Sequence, residues 1–250
     1  MIIRADEAQR ELAVRSAQNS LAALLRLAWP VWGWGKLEWG PHLDVMALVC
    51  EQWVRGMLVE DPERYGLPSQ VVANVPPQTT KTAMFGRAGL LWALMQRPEL
   101  RLVHASHTIE GNLDKVDDER MQIARSRRFL DLVDASGTPW RWGKSADNEK
   151  TTTRGGGIAL ASWHGGAATG RHFNGHYYDD LCTAQDVWSE KARAAWQKQL
   201  DQLSSRFAQR LKHVFFAMQR LAWNDPVADF LDEYPDALRL VLPRVFEKGR

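Results

Sequence analysis

The sequence predicts an α/β domain with a mostly parallel central sheet, flanked by helices and preceded by a helical lead-in. Three observations predict it. From Gln70 onward, short β-rich runs alternate with stretches of helical period. The run Gln70 to Val75 passes through a Pro-Pro turn directly into a helix, and the run Phe173 to Tyr178 ends on two aspartates. Strands interleaved with helices of this length build parallel sheets.

The lead-in comes first. Residues Glu7 to Ala28 carry Leu12, Val14, Leu21, Leu24, Leu25 and Leu27 among charged and small residues, a helical texture that Pro30 ends. His42 to Leu58 reads as a second amphipathic helix, broken by Asp61-Pro62 and Gly66-Leu67-Pro68. These features divide the chain into a helical region at 1–68 and an α/β core at 69–250. Within the core the predicted order is strand 70–75, helix 82–95, strand 101–106, a long helix 109–133 and a hairpin over 150–163 with a flexible tip at Gly155-Gly156-Gly157. Strand 173–178, helix 186–206, strand 212–218, helix 226–231 and strand 238–242 follow.

Composition narrows the function. Of 250 residues, 32 are basic and 30 acidic, so the net charge of +2 does not mark the whole molecule as a polyanion binder. Any DNA contact is local. Cys50 and Cys182 stand far apart, without metal spacing, and read as buried thiols of a reducing compartment. No apolar run reaches the roughly 18 to 20 residues of a membrane span, and the N-terminus lacks a signal-peptide layout. A soluble intracellular protein is expected. The 12 tryptophans, four of them at Trp29, Trp32, Trp34 and Trp39, read first as core or interface filler and second as a base-stacking surface.

The chemistry concentrates in two segments. A nucleoside triphosphate needs converging backbone N–H groups, a lysine near its β and γ oxygens, and a hydroxyl for magnesium, which a strand–GxxxxGK[ST]–helix unit supplies. Pro76-Pro77-Gln78-Thr79-Thr80-Lys81-Thr82 has the strand, the helix and the closing Lys-Thr, but Thr80 stands at the second glycine. A positive φ there would cost a non-glycine residue about 1 to 2 kcal/mol. Alone, Lys81-Thr82 is also compatible with an ordinary first helical turn. The second segment is Asp179-Asp180 at a strand end, where such enzymes place the carboxylate for magnesium and another for the attacking water. Adjacent side chains on an extended strand point apart, so the two aspartates have different tasks if the strand stays regular to its end. Alone, they are also compatible with a turn. Together the segments favour nucleotide hydrolysis.

Several segments together resemble the large terminase subunit of tailed bacteriophages. Asn74-Val75-Pro76-Pro77-Gln78-Thr79-Thr80-Lys81-Thr82 is similar to the family's Val-Pro-Pro-Arg-x-Gly-Lys-Ser. Val103-His104-Ala105-Ser106-His107-Thr108 leads into a helix with Arg120, and Ala168-Thr169-Gly170-Arg171 precedes the acidic strand. Phe215-Phe216-Ala217-Met218-Gln219-Arg220-Leu221-Ala222-Trp223-Asn224-Asp225 looks like the third motif. The resemblance implies a P-loop NTPase fold of the ASCE, RecA-like kind. It also implies an ATPase that assembles as a homo-oligomeric ring, usually a pentamer, in the host cell cytoplasm. That ring works with the portal protein and small terminase subunit to pump double-stranded DNA into a procapsid.

On that resemblance Pro77, Gln78, Thr79, Thr80, Lys81 and Thr82 cradle ATP, and Lys81 contacts the β and γ phosphates. Thr82 and Asp179 hold Mg2+, and Asp180 takes the place of the catalytic carboxylate. Arg171 matches the arginine that reaches a neighbouring subunit's nucleotide, and Gln219 lies in the motif coupling hydrolysis to movement. The family's C-terminal nuclease has no room after Leu242 and is expected to be absent. Gln78 in place of arginine, Thr80 in place of glycine and Asp180 in place of the usual glutamate depart from the pattern. A displacement of about 1 Å at a catalytic group costs on the order of a hundredfold in rate. A different P-loop nucleic-acid ATPase, and a nucleotide-binding ring component with little hydrolysis, remain as alternatives. The arginines at 120, 125, 127 and 128 read as complements to a helix dipole, and His104 and His107 lack a third ligand for zinc.

Overall fold

Runs of Val, Ala, Phe and Tyr with both faces apolar suit a sheet covered on both sides. A computed structural model, describing residues 12–13, 15–146, 148–162, 172–208 and 212–243, has that arrangement. Its strands are β1 (Gln70–Asn74), β2 (Arg101–Ser106), β3 (Trp142–Ala146), β4 (Glu149–Thr152), β5 (Gly157–Ser162), β6 (Gly175–Asp179), β7 (His213–Ala217) and β8 (Leu238–Val241). They form one sheet in the order β3-β4-β5-β2-β6-β7-β1-β8. From β5 to β8 every pairing is parallel, while β3, β4 and β5 are joined antiparallel.

Strand side chains alternate between two cores, as the period of two requires. Val71, Ala73, Tyr177, Phe215 and Ala217 enter one; Val72, Tyr178, Val214 and Phe216 enter the other. The first core lies under α1 (Leu21–Ala28), α2 (Pro41–Leu58), α3 (Leu90–Gln96), α4 (Asp114–Arg125) and α5 (Arg127–Asp134). The second lies under α6 (Glu190–Ser204) and α7 (Pro226–Glu233). The lead-in therefore packs on the sheet: Leu21, Leu24 and Trp53 share a core with Phe215. Glu51 on α2 accepts the backbone N–H of Leu21 at 2.6 Å, which satisfies a helix-start donor that burial would otherwise strand.

Four expectations change. The helix predicted over Glu7 to Ala28 is interrupted at Ser20, whose extended backbone and hydroxyl cap α1. The long helix 109–133 is three pieces, kinked at Gly111 (φ 77°) and broken at Ser126, which caps α5 through the N–H of Phe129. Periodicity continues across both breaks, because each is one or two residues wide. The glycine tip is also not a free loop. Gly156 and Gly157 are buried, and a Cβ on Gly156 would lie 2.3 Å from Pro98 O. Strand β3 was not anticipated. Trp32 and Trp34 stack with centroids 4.5 Å apart, and Trp32 Nε1 donates to Glu119 O, which favours the packing reading of that cluster. Both cysteines are free and buried, and burial pushes the Cys182 thiol up to about 12. Among the described residues no helix is long and apolar enough to cross a membrane.

Two strand histidines link this burial to pH. His176 is fully buried, bonded through Nδ1 to the Tyr178 hydroxyl at 3.0 Å and stacked on Phe207. Burial pushes His176 down to about 3, with Lys212 adding, and pushes His213 down to about 4. An unfolded histidine titrates near 6.5, so below that pH the unfolded chain binds protons the folded chain does not. Their stabilising effect is complete above about pH 6.5 and is lost toward acid, by about 1.4 kcal/mol per pH unit for each histidine. Urea unfolding at stepped pH should show a shallower acid decline for His176→Phe than for wild type; identical slopes would refute the assignment.

Candidate functional site

Strand β1 delivers the chain to a loop whose backbone is held from within. The Thr79 hydroxyl donates to Pro76 O at 2.6 Å, and the N–H of Met84 donates to Thr80 O at 2.9 Å. Gln78 and Thr80 are left-handed, with φ of 64° and 70°. The glycine-like conformation expected at position 80 is thus adopted by a threonine. Lys81 and Thr82 follow as the head of a helix whose first stretch, Thr82–Gly89, is π-helical before α3 continues it. π-helical turns are uncommon and concentrate at functional sites.

The loop meets the end of β6. Lys81 Nζ donates to Asp179 Oδ1 at 2.9 Å and to Asp180 Oδ2, while Thr82 Oγ1 donates to Asp179 Oδ2 at 2.9 Å. In the sheet, β7 lies between the lysine strand β1 and the acidic strand β6. One expectation changes: the strand end is not regular, and the two carboxylates do not diverge. Asp180 leaves the strand with φ 43°, its N–H held by Ala217 O at 3.1 Å, and this turn swings its side chain back toward Lys81.

Charge and burial set the ionisation here. Burial alone lowers the Lys81 ammonium, but Asp179 and Asp180 outweigh it and hold Lys81 above its ordinary value. Burial acts to raise Asp179; the Lys81 charge and the bonds from Lys81 and Thr82 overcome it and keep this carboxyl below its usual range. Asp180 is raised by burial, with Asp179 adding, against the pull of Lys81. The cluster thus contains one firmly ionised carboxylate and one more easily protonated neighbour.

Other predicted residues fall nearby. A cleft of about 770 Å³ is lined by Asn74 to Thr79, by Gln219 and Arg220, and by Val241 and Leu242. Gln219 is therefore brought to Pro77, Gln78 and Thr79, while Lys81, Thr82 and the aspartates lie beyond the cleft's lining. Asp225, fully buried, accepts the N–H groups of Leu221 and Ala222 and Arg220 Nε on one oxygen, and caps α7 with the other. Arg171, with Ala168-Thr169-Gly170, lies outside the described residues.

Arg120 and His104 were missed as site residues. Arg120 is not a dipole complement on a solvated face. It is fully buried, with Nη1 donating to Asp117 at 2.8 Å, Nε to Gly86 O at 3.0 Å, and Nη2 facing His104 Nδ1 at 2.7 Å. The signal was present: Arg120 shares a helical stripe with Val116 and Ile123, which are buried. His107 turns elsewhere, 3.2 Å from Asp186. Among the described residues no group of three or more His, Cys, Asp or Glu side chains could hold a metal ion. Thr82 and Asp179 nevertheless offer hard oxygen atoms side by side, the kind of donors magnesium uses when phosphates and water complete its shell.

No protein-family model and no curated protein matches the sequence. Solved structures do match. The HK97 bacteriophage large terminase aligns with a TM-score of 0.51 at 12% identity, over 86% of this chain and 41% of that one. The large terminase of the thermophilic bacteriophage D6E gives 0.49 at 16% identity, over 77% and 44%. The D6E protein in complex with ADP gives 0.44 at 12% identity, over 78% and 44%. The chain spans less than half the length of these proteins. The likeness is one of fold, and it agrees with the predicted α/β architecture of a central, mostly parallel sheet flanked by helices.

Thr80 gives this geometry a thermodynamic consequence. A left-handed threonine costs about 1 to 2 kcal/mol, whereas glycine there costs about 0.5 to 1 kcal/mol in lost chain entropy. Thr80→Gly should therefore raise unfolding stability by up to about 1.5 kcal/mol, read as a higher urea midpoint at unchanged slope. A lower midpoint would mean that the loop is not left-handed at this position.

Proposed function

We propose that this chain binds ATP with Mg2+ at Lys81, Thr82, Asp179 and Asp180 and hydrolyses it as the ATPase of a viral DNA-packaging motor. The observation that carries the proposal is the convergence on Lys81 of two carboxylates almost a hundred residues away, at the head of a helix entered from a strand. Left-handed Gln78 and Thr80 shape the loop in which the backbone N–H groups of residues 78–82 would meet phosphate oxygens. With one positive and two negative groups, the cluster favours a polyphosphate only when a divalent cation accompanies it.

In this proposal Lys81 leaves the aspartates for the β and γ phosphates, and Thr82 and Asp179 hold the cation. Bound magnesium would neutralise charge developing on the phosphate oxygens. Asp180 stands free of Lys81 at that point, and its raised pKa suits a group that accepts a proton from, or orients, the attacking water. Arg171 would reach the nucleotide of an adjacent subunit in a ring, and Gln219, on the wall of the cleft, would register the state of the loop. Double-stranded DNA, a portal protein and a small terminase subunit are the proposed partners, and the region 1–68 is proposed as a lid-like lead-in to the 69–250 core. One observation favours a second reading, a nucleotide-binding ring component with little turnover: Asp180 is short and already engaged by Lys81.

Equilibrium ATP binding and phosphate release, measured across concentrations that span assembly and with DNA present, separate these readings. Lys81→Ala should lose magnesium-dependent binding. Asp180→Asn should keep binding and lose about 10²-fold or more in turnover, the scale of a general base. Arg171→Ala should bind ATP as a monomer yet lose about 10³- to 10⁵-fold in the assembled ring. Unaltered binding in Lys81→Ala sinks the proposal, and wild-type binding without turnover selects the second reading.

A further inference from the structure

Behind the loop and the aspartates runs a buried polar chain that the proposed roles leave unused. A guanidinium has only donors, so at the 2.7 Å contact His104 Nδ1 is the acceptor and the ring proton resides on Nε2. That Nε2–H is buried without a hydrogen-bond partner and stands 3.9 Å from Asp179 Oδ2. Orphaned buried donors are uncommon in folded proteins and call for an explanation. Here the neighbouring acceptor is already engaged, since Oδ2 takes the Thr82 hydroxyl and Oδ1 takes Lys81.

We infer that His104 is a positioning residue for Asp179, its Nε2–H closing on Oδ2 when nucleotide and cation draw Lys81 and Thr82 away from that carboxylate. The inference rests on the ATP-binding proposal above and deepens it. Once Lys81 and Thr82 turn to nucleotide and cation, the His104 Nε2–H and the buried Tyr177 hydroxyl are the donors beside Asp179, and His104 is the one that Arg120 holds in place. With His104, a shift of about 1 Å brings a donor to hydrogen-bonding distance. Two further contacts direct the imidazole. Gly86, on the helix that carries Lys81 and Thr82, lies so close that a Cβ there would meet His104 Cε1 and Tyr177 Cε1, each at 3.1 Å. Arg120 then spans the two elements, donating to Gly86 O while it holds His104 Nδ1. One guanidinium thereby keeps the lysine helix and the imidazole facing Asp179 in register. Partners of this kind, one bond removed from a metal ligand, typically govern 10- to 100-fold in metal affinity.

The test is equilibrium binding of a fluorescent ATP analogue to the full chain, titrated with MgCl2 and compared with binding in EDTA, alongside thermal unfolding. His104→Leu should require about 10- to 100-fold more Mg2+ to reach half of the magnesium-induced tightening, with EDTA binding unchanged. His104→Gln, whose amide N–H reaches toward the position of Nε2, should restore the wild-type response. Should His104→Leu fail to fold, His104→Asn, whose shorter amide stops short of Asp179, takes its place against His104→Gln. A wild-type Mg2+ response in the Leu or Asn variant, a Gln variant as impaired as Leu, or an equal loss of binding with and without Mg2+ would each overturn the inference. A wild-type chain that binds no nucleotide in either condition removes the ATP proposal itself, a result visible before any His104 variant is compared.

Discussion

The ammonium of Lys81, held between Asp179 and Asp180, is the interaction on which the rest of the site depends. Lys81 is buried, so removing a partner would leave a charge with little water to compensate it, a loss of about 3 to 5 kcal/mol in comparable pairs. The pairing also spans the sheet. Strands β1 and β6 lie two spacings apart, roughly 9.5 Å, and Lys81 must cross the head of β7 to bridge them. The register places Asp179 beside Ala217 and Ala217 beside Ala73. Alanine therefore occupies the intermediate position between the two strand ends.

Backbone strain accumulates at the same place. The described non-glycine residues with positive φ are Gln78, Thr80 and Asp180, all within the loop or the acidic strand end. Such conformations persist where surrounding bonds over-determine them. Pro76 O, Thr80 O and Ala217 O each accept a hydrogen bond that fixes one side of a strained residue. The strain at Asp180 has a direct electrostatic return: a regular strand would send its carboxylate away from Lys81, and one left-handed residue converts an alternating pair into a clamp.

What was legible in the sequence follows from the range of the forces involved. Strand β1, the loop and the helix after it were readable because apolar runs, prolines and the Lys-Thr pair act over a few residues. The parallel core was readable from alternation of strand and helix. The insertion of β7 between β1 and β6 was not, since strand order is decided by crossovers and buried area rather than by any local signal. Breaks at Ser20, Gly111 and Ser126 escaped because one capping serine or glycine interrupts a helix without disturbing its apolar period. Arg120 was misread for a related reason. Its stripe marks it as buried, but the acceptors that make burial tolerable, His104 Nδ1 and Gly86 O, are 16 and 34 residues away in sequence.

Strand β7 does more than separate the lysine from the acids. Its continuation is tied to β1 at two points, Asn74 Nδ2 to Met218 O at 2.8 Å and Met218 N–H to Ala73 O at 3.1 Å. Immediately beyond, Gln219 and Arg220 wall the cleft, and Asp225 gathers Arg220, Leu221 and Ala222 onto one oxygen while its other oxygen caps α7. A loop so heavily bonded to one buried carboxylate cannot bend independently of the helix it precedes. Gln219 directly precedes that bonded segment, and the exposed Trp223 lies within it. In mechanical terms the element that shares bonds with the lysine strand is also the element rigidly joined to an outer helix.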